Sequence, residues 1–299
     1  MDIVVIGHIS LDTIIIEGKD YIDVLGGPPA YISYALSSFS NIKVSIATSI
    51  GYDALSFVLA ELSKVNVDFS PLITYLNKKT TRYVLLYKGD KRELLLKAKC
   101  GAISSVIGNF DVAIVSPIVD EVSLNLIKNI RETTQFLSLD PQGFFRSNKL
   151  GKVRRALNKE LFSILPLVDI VKISEDEASL IDEDLIKCIR MLLNRVKRLA
   201  IITRGSRGSL IGLKEDNHIK VLKIPAYPIS VKDPTGAGDV FIAVFTVQYL
   251  MNEDPLWAGC IANAAASLST EGRGPCSIPY HELIKRAQVL LEKVSQDTL

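Results

Sequence analysis

The chain has 299 residues, 48% hydrophobic and 23% charged, with 35 basic and 33 acidic side chains and a net charge of +2. Such a length carries a large core, and the composition is globular, not disordered. The even charge gives no electrostatic reason to expect nucleic acid or an acidic membrane as partner, and no apolar run is long enough to cross a bilayer. Four scattered cysteines without a C-x-x-C pair argue against structural zinc and a disulfide scaffold, and "MDIVVIGHIS" has no basic, apolar targeting start; the expected location is a reducing cytoplasm.

The first element, "DIVVIG" (2–7), is an apolar run rich in Val and Ile. Runs of this kind read as buried parallel strands. His8 follows it and is read as a hydrogen-bonded core or cleft residue, since the three histidines are scattered. "LDTIIIEGKDYIDVLGG" (11–27) is a strand–turn–strand pattern, and 28–39 reads as a helix. "KVSIAT" is a strand and 53–65 a helix. "TRYVLLYKGDKRELLLKA" (81–98) repeats the strand–turn–strand pattern, with a hairpin turn at Gly89. Then come strands "DVAIVS", "QFLSLD", "DIVKIS" and "LAIITRG", with helices over 120–131 and 184–197 between them. The last third carries helices near 238–251, 255–269 and 279–295. The basic runs "KLGKVRRALNK" and "RMLLNRVKR" read as solvated faces.

Strand–helix alternation predicts an α/β fold, a doubly wound and mainly parallel sheet with right-handed crossovers. Ligands of such sheets bind beyond the carboxyl ends of the strands, where Asp140, Ser174 and Thr203 fall. The stretches at about 11–25 and 81–98 break the alternation and predict a small β-sheet lid. One domain over 1–299 is expected, lid included.

Chemistry concentrates in "VKDPTGAGDVF" (231–241). The patterns G-x-x-x-x-G-K-[ST] and, after the first strand, G-x-G-x-x-G are absent, which disfavours P-loop and NAD enzymes. Small residues ahead of a helix leave first-turn amides facing outward, at the positive end of the helix dipole. Such a turn suits phosphate oxygens. Asp239 inside it adds a carboxylate. Anion hole plus carboxylate is a working pair for phosphoryl transfer, the amides stabilising charge and the carboxylate taking a proton from an attacking hydroxyl. A cap or first-turn acid is the alternative for Asp239.

"DPTGAGDVF" resembles the C-terminal signature of the ribokinase-type (PfkB) family of small-molecule kinases. "SLD" (10–12), "LGGPPAYIS" (25–33), "ISEDEA" (173–178) and "TRGSRGSLI" (203–211) resemble further family motifs in the family's order. The resemblance extends to about residue 285 and implies an ATP-dependent kinase with an alcohol acceptor and Mg²⁺. It implies Asp239 as the base and Gly236, Ala237 and Gly238 as the anion hole. Glu177 would hold Mg²⁺ through water. Ser174, Thr203, Gly205, Gly208 and Asn263 would meet the nucleotide. Asp12, Gly26 and Gly27 would hold substrate hydroxyls. A monovalent cation such as K⁺ near Asp233 and Thr235, and a homodimer formed through the lid, are further family features. The structural alternatives are a helix-start acid at 177 and hairpin glycines at 205 and 208.

Two departures bear on substrate. Tyr31 stands where the family's Gly-Gly motif leads to an Asn, and Ser174 replaces the Asn of the N-x-x-E element. With "LDPQGFFR" (139–146) these look like the myo-inositol kinase branch. The expectation is a cyclitol ring held by Tyr31, Gln142 and Arg146 opposite Asp239. The alternatives are ribose, fructose, a sugar acid or a nucleoside as acceptor, or a non-catalytic regulator that binds nucleotide or sugar.

Overall fold

A parallel strand covered on both faces needs apolar side chains on both, and alternate residues of the first strand satisfy both at once. The computed structural model describes residues 1–16, 19–88, 91–215 and 218–298. Ile3 and Val5 pack into the layer built by helices Pro28–Leu36, Ala237–Asn252, Pro255–Ser269 and Tyr280–Leu291. Val4 and Ile6 pack into the opposite layer, which includes helices Leu124–Thr133 and Leu185–Leu193.

The main sheet has ten strands. From one edge they run Ser295–Thr298, His218–Ile224, Ser209–Glu215, Leu199–Thr203, Ile170–Ser174, Thr134–Leu139, Phe110–Val115, Asp2–Ile6, Lys43–Ala47 and Val67–Asp68. Pairing is parallel from Val67–Asp68 to Leu199–Thr203 and antiparallel beyond. The expected doubly wound sheet is therefore present. The antiparallel strand after 208 agrees with the hairpin alternative for Gly205 and Gly208, the further antiparallel strands were not anticipated, and the last helix stops at Leu291, so 295 belongs to an edge strand.

The two strand–turn–strand stretches meet in a second, five-stranded sheet, ordered Gly151–Lys152, Lys91–Ala98, Thr81–Lys88, Ser10–Ile16, Lys19–Gly26. The short strand Gly151–Lys152 is an addition that no sequence pattern announced. The turn expected at Gly89 lies outside the described residues. This sheet covers the carboxyl edge of the main sheet and is tied down there. The Tyr87 hydroxyl lies 2.8 Å from Thr235 Oγ1, and Arg273 donates to the Tyr21 hydroxyl at 2.6 Å. Two hydrogen bonds thus anchor the smaller sheet, expected as a lid, over that edge. Among the described residues no helix is long and apolar enough to cross a membrane.

His8 holds the base of the lid. It is fully buried. Its Nε2 lies 2.8 Å from Ser49 Oγ and 2.8 Å from Gly101 O, and its Nδ1 lies 2.8 Å from Thr81 Oγ1. Thr81 begins a lid strand and Gly101 follows the strand that leaves the lid. The core reading of His8 holds. Truncating it removes its hydrogen bonds to Ser49, Thr81 and Gly101, at about 0.5–1.5 kcal/mol each, while Ser49 Oγ still donates to Gly101 O and Thr81 Oγ1 still accepts from Cys100 N. His8→Ala is expected to lower unfolding free energy in urea by roughly 3 kcal/mol; an unchanged midpoint would contradict this role.

Candidate active site

The helix Ala237–Asn252 is apolar all round and buried almost throughout, so it runs through the core and not along the surface. Its entry is sharply defined. Gly236 precedes it with φ 78 and ψ −5, a left-handed conformation that glycine adopts without penalty. A Cβ there would also meet the Tyr31 ring at 2.1 Å. Just before, Thr235 donates from its amide (2.9 Å) and its hydroxyl (2.5 Å) to Asp233 Oδ1. Asp233 Oδ2 is buried without a hydrogen-bond partner among the described residues.

Two clefts share this helix start. The lid-side cleft is lined by Asp12, Gly27, Tyr31, Gln142, Arg146, Gly236 and Asp239. The second and larger one is lined by Thr203, Gly205, Gly208, Asn263, Ala237 and Gly238. Residues of one turn thus open to different clefts, Gly236 and Asp239 to the first and Ala237 and Gly238 to the second. Gly26 lies behind the first cleft wall. A Cβ there would stand 2.3 Å from Asp12 Oδ2 and 2.8 Å from Ser10 Oγ, so its bareness lets both side chains in. Gly27 has φ 84 and its Cβ would strike His8 O at 2.2 Å.

Asp239 is the buried acid of the first cleft. Its Oδ1 accepts from Gln142 Nε2 at 3.0 Å and from Ser116 Oγ at 3.3 Å. Burial, with Asp140 close by, raises its pKa to about 7, against the pull of Lys172, Arg146 and the Ser116 hydroxyl. That is the range in which a carboxylate works as a base at neutral pH. Gln142 is turned by Arg146, whose Nη2 donates to Gln142 Oε1 at 2.5 Å. Gln142 and Arg146 therefore sit beside Asp239 and linked to it, not across the cleft from it as expected. Tyr31 stays a neutral phenol, because burial and the carboxylates of Asp233, Asp12 and Asp239 push its pKa well up.

The second cleft has fixed walls. Gly208 has φ 80, and a Cβ on it would meet Ile224 O at 2.0 Å. It thus serves both the hairpin and the cleft. Asn263 is buried, its Nδ2 donating to Ser209 Oγ (2.7 Å) and Gly259 O (3.0 Å). Tyr227 lines the cleft under the Arg286 guanidinium, 4.7 Å from the ring centre. The other lining combines apolar Ala226, Ile229, Val231 and Phe241 with polar Ser206, Ser267 and Thr270.

Ser174 and Glu177 line neither cleft. They form a capping box: Ser174 Oγ accepts from Glu177 N (3.4 Å) and Glu177 Oε2 from Ser174 N (2.7 Å). The helix-start alternative for Glu177 therefore describes its hydrogen bonds. Its charge still bears on Asp140 and Lys172. No group of three or more His, Cys, Asp or Glu among the described residues is placed to hold a metal ion. Mg²⁺ needs no such cage, because it keeps waters and binds through one or two carboxylates and substrate phosphates.

Sequence reasoning missed Lys172. It is buried in strand Ile170–Ser174, with Nζ 2.6 Å from Asp140 Oδ2. Burial alone would lower its pKa, but the carboxylates of Asp140, Glu177 and Asp239 hold it raised, and so charged. The signal was present in "DIVKIS": a lysine inside an apolar strand is rarely buried unless paired.

A model of pfkB family carbohydrate kinases matches residues 1–282. A protein of Pyrococcus horikoshii described as a candidate sugar kinase is 30% identical over 301 residues, 94% of each chain. The cytidine kinase of Thermococcus kodakarensis is 30% identical over 258 residues, covering 83% of this chain and 88% of its own. Among solved structures, a pyrophosphate-dependent kinase in the ribokinase family, complexed with a pyrophosphate analog and myo-inositol, is 22% identical. It covers 94% of this chain and 99% of its own with a TM-score of 0.76, which shows a shared ribokinase-like fold.

The raised acid has a thermodynamic signature. An unfolded aspartate ionises near 3.9, whereas folded Asp239 holds its proton to about 7. The native state binds the extra proton in that window, so stability falls as pH rises through it and levels off above. Asp239→Asn removes the ionisation. The variant is expected to melt near wild type at pH 4 and above it at pH 8; an equal difference at both pH values would contradict the raised pKa.

Proposed function

The chain belongs to the pfkB family of carbohydrate kinases, phosphotransferases with alcohol acceptors, and we propose on that premise that it moves the γ-phosphoryl group of ATP across the start of helix Ala237–Asn252. The acceptor hydroxyl lies in the lid-side cleft against Asp239, and ATP lies in the second cleft. The acceptor oxygen forms a bond to the γ-phosphorus and the bond from that phosphorus to the β–γ bridging oxygen breaks. The hydroxyl proton passes to Asp239 and ADP leaves with the bridging oxygen. Amides of Gly236, Ala237 and Gly238 stabilise charge on the moving group. The observation that carries this reading is the shared turn, whose Asp239 faces one cleft and whose Ala237 and Gly238 face the other.

ATP with Mg²⁺ is the usual donor pair of ribokinase-family kinases, although a pyrophosphate-dependent member exists. Glu177 fits an ion held through water, since one of its oxygens is engaged in the cap. The unpartnered Oδ2 of Asp233 suits a monovalent cation beside the anion hole. Thr203, Gly205, Gly208 and Asn263 form the nucleotide wall.

The acceptor is read from the lid. Asp12, Gln142 and Arg146 offer polar partners to the cleft, and Leu85, Leu94 and Ile118 add an apolar part to its lining. A cyclitol carries a hydroxyl on every ring carbon and would press some of them on that apolar part unpaired, at a cost. A ribonucleoside presents hydroxyls at one end and a planar base at the other. We take a nucleoside as the acceptor this lining favours, in keeping with the similarity to a cytidine kinase. The second reading is myo-inositol, favoured by the Arg146–Gln142 pair, whose donors match neighbouring hydroxyls.

The test is an ADP-release assay with Mg²⁺ and K⁺ over a panel of nucleosides, cyclitols, sugars and sugar acids. A ribonucleoside is expected to rank first in kcat/KM. Myo-inositol in first place would establish the second reading, and ribose would contradict the apolar-lining argument. Binding without ADP release from any acceptor would leave only a regulator. Exchanging K⁺ for choline is expected to slow turnover in wild type and to matter less in Asp233→Asn; identical responses would remove the cation from this site.

A further inference from the structure

We propose that Lys172 is a catalytic side chain of this kinase, an ammonium stored beneath Gly238 that donates to an oxygen of the phosphoryl group in flight. The inference rests on the transfer reading above and adds a residue that reading does not use.

The first observation is position. Lys172 Nζ lies 2.6 Å from where a Cβ on Gly238 would be, and its Cε 3.5 Å from it. The ammonium thus presses on the helix turn through the gap that the missing side chain leaves. Gly238 itself lines the nucleotide-side cleft. Lys172 itself lines neither cleft, and any larger residue at 238 would collide with its Nζ.

The second observation is unused hydrogen-bonding capacity. An ammonium has three donors. Asp140 Oδ2, at 2.6 Å, is the hydrogen-bond partner of Lys172 among the described residues, so two donors are uncommitted. The side chains are 5% and 1% exposed, so bulk water does not supply the rest. Asp140 Oδ1 likewise has no hydrogen-bond partner among the described residues. A pair that existed only for packing would leave fewer groups unsatisfied, and neutral residues of similar shape would serve as well or better.

The chemistry gives the ammonium a task. Phosphoryl transfer spreads negative charge over the equatorial oxygens of the moving group, and a fixed donor aimed there lowers the barrier without rearrangement. Asp140 holds Lys172 in one place and balances its charge while the cleft is empty. Lys172 keeps its proton throughout, forms no covalent bond and takes no part in the proton balance, which Asp239 closes.

The test compares Lys172→Met, Asp140→Asn and the double variant with wild type, using ATP and the best acceptor of the panel. Lys172→Met and the double variant are expected to lose about 10²–10³-fold in kcat, the usual effect of removing one such donor, with acceptor KM nearly unchanged. The double variant is expected to melt near wild type, since it buries no charge. Asp140→Asn keeps the ammonium and is expected to retain more turnover than either. Recovery of wild-type kcat in the double variant would reduce the pair to structure and overturn the proposal. Gly238→Ala tests it with both charges intact: its Cβ displaces Nζ, and kcat is expected to drop at least about tenfold, while full turnover would contradict the placement. Wild-type turnover in the same assay keeps failure of the transfer reading distinct from failure of this one.

Discussion

Everything at this site depends on one turn of backbone that has to be bare. Gly236 is left-handed and lies against the face of Tyr31, and the amides that follow it open toward two clefts. A helix start can serve both an acceptor and a donor only if no side chain stands between them. The residues on either flank are accordingly small, and the first side chain with reach is Asp239. Position explains why the rest of the helix is apolar. Its body must fix the turn in space, which it does by filling the core between the sheet and helix Pro255–Ser269.

Fixing that turn brings charges into the interior. Asp239, Asp140 and Lys172 are all buried, and Glu177 is close enough to act on two of them. Three carboxylates around one ammonium leave an excess of negative charge. Burial and that excess push Asp239 toward holding its proton. The arrangement is unfavourable for the folded state at high pH and favourable for a base that must take a proton near neutrality. Stability is given up at the place where reactivity is needed, as is common at functional sites. Arg146 and Gln142 restrain the effect from the lid side, and the lid itself is fastened to the same turn through Tyr87 and Thr235.

Much of this was legible in the sequence, for physical reasons. Strands such as "DIVVIG" and "DVAIVS" are apolar at every position because both faces are covered, and a run of that kind has few other homes. The bare turn in "DPTGAGD" was legible because only glycine tolerates a left-handed, crowded position. The motif residues expected at the acceptor and at the nucleotide fall largely into separate clefts. What escaped needed tertiary neighbours. Ser174 and Glu177 fit a capping box as well as a nucleotide motif, and the hydrogen bonds show the former. Gln142 could have pointed anywhere after its strand, and Arg146 decides its orientation. The apolar lining of Leu85, Leu94 and Ile118 joins a cross-strand pair of the smaller sheet to a residue after strand Phe110–Val115. Lys172 looked like one polar break in a strand, and only its distance to Gly238 gives it meaning.

The central claim is that Asp239, held partly protonated near neutrality, removes the acceptor's proton. Single-turnover phosphoryl transfer measured from pH 5 to pH 9, in wild type and in Asp239→Asn, tests it directly. The account predicts a wild-type rate that falls below a midpoint near the pKa of about 7, and a variant slower by about 10²–10⁴-fold whose rate no longer follows that midpoint. A variant that transfers at nearly the wild-type rate, or that keeps the same acidic limb, would contradict it.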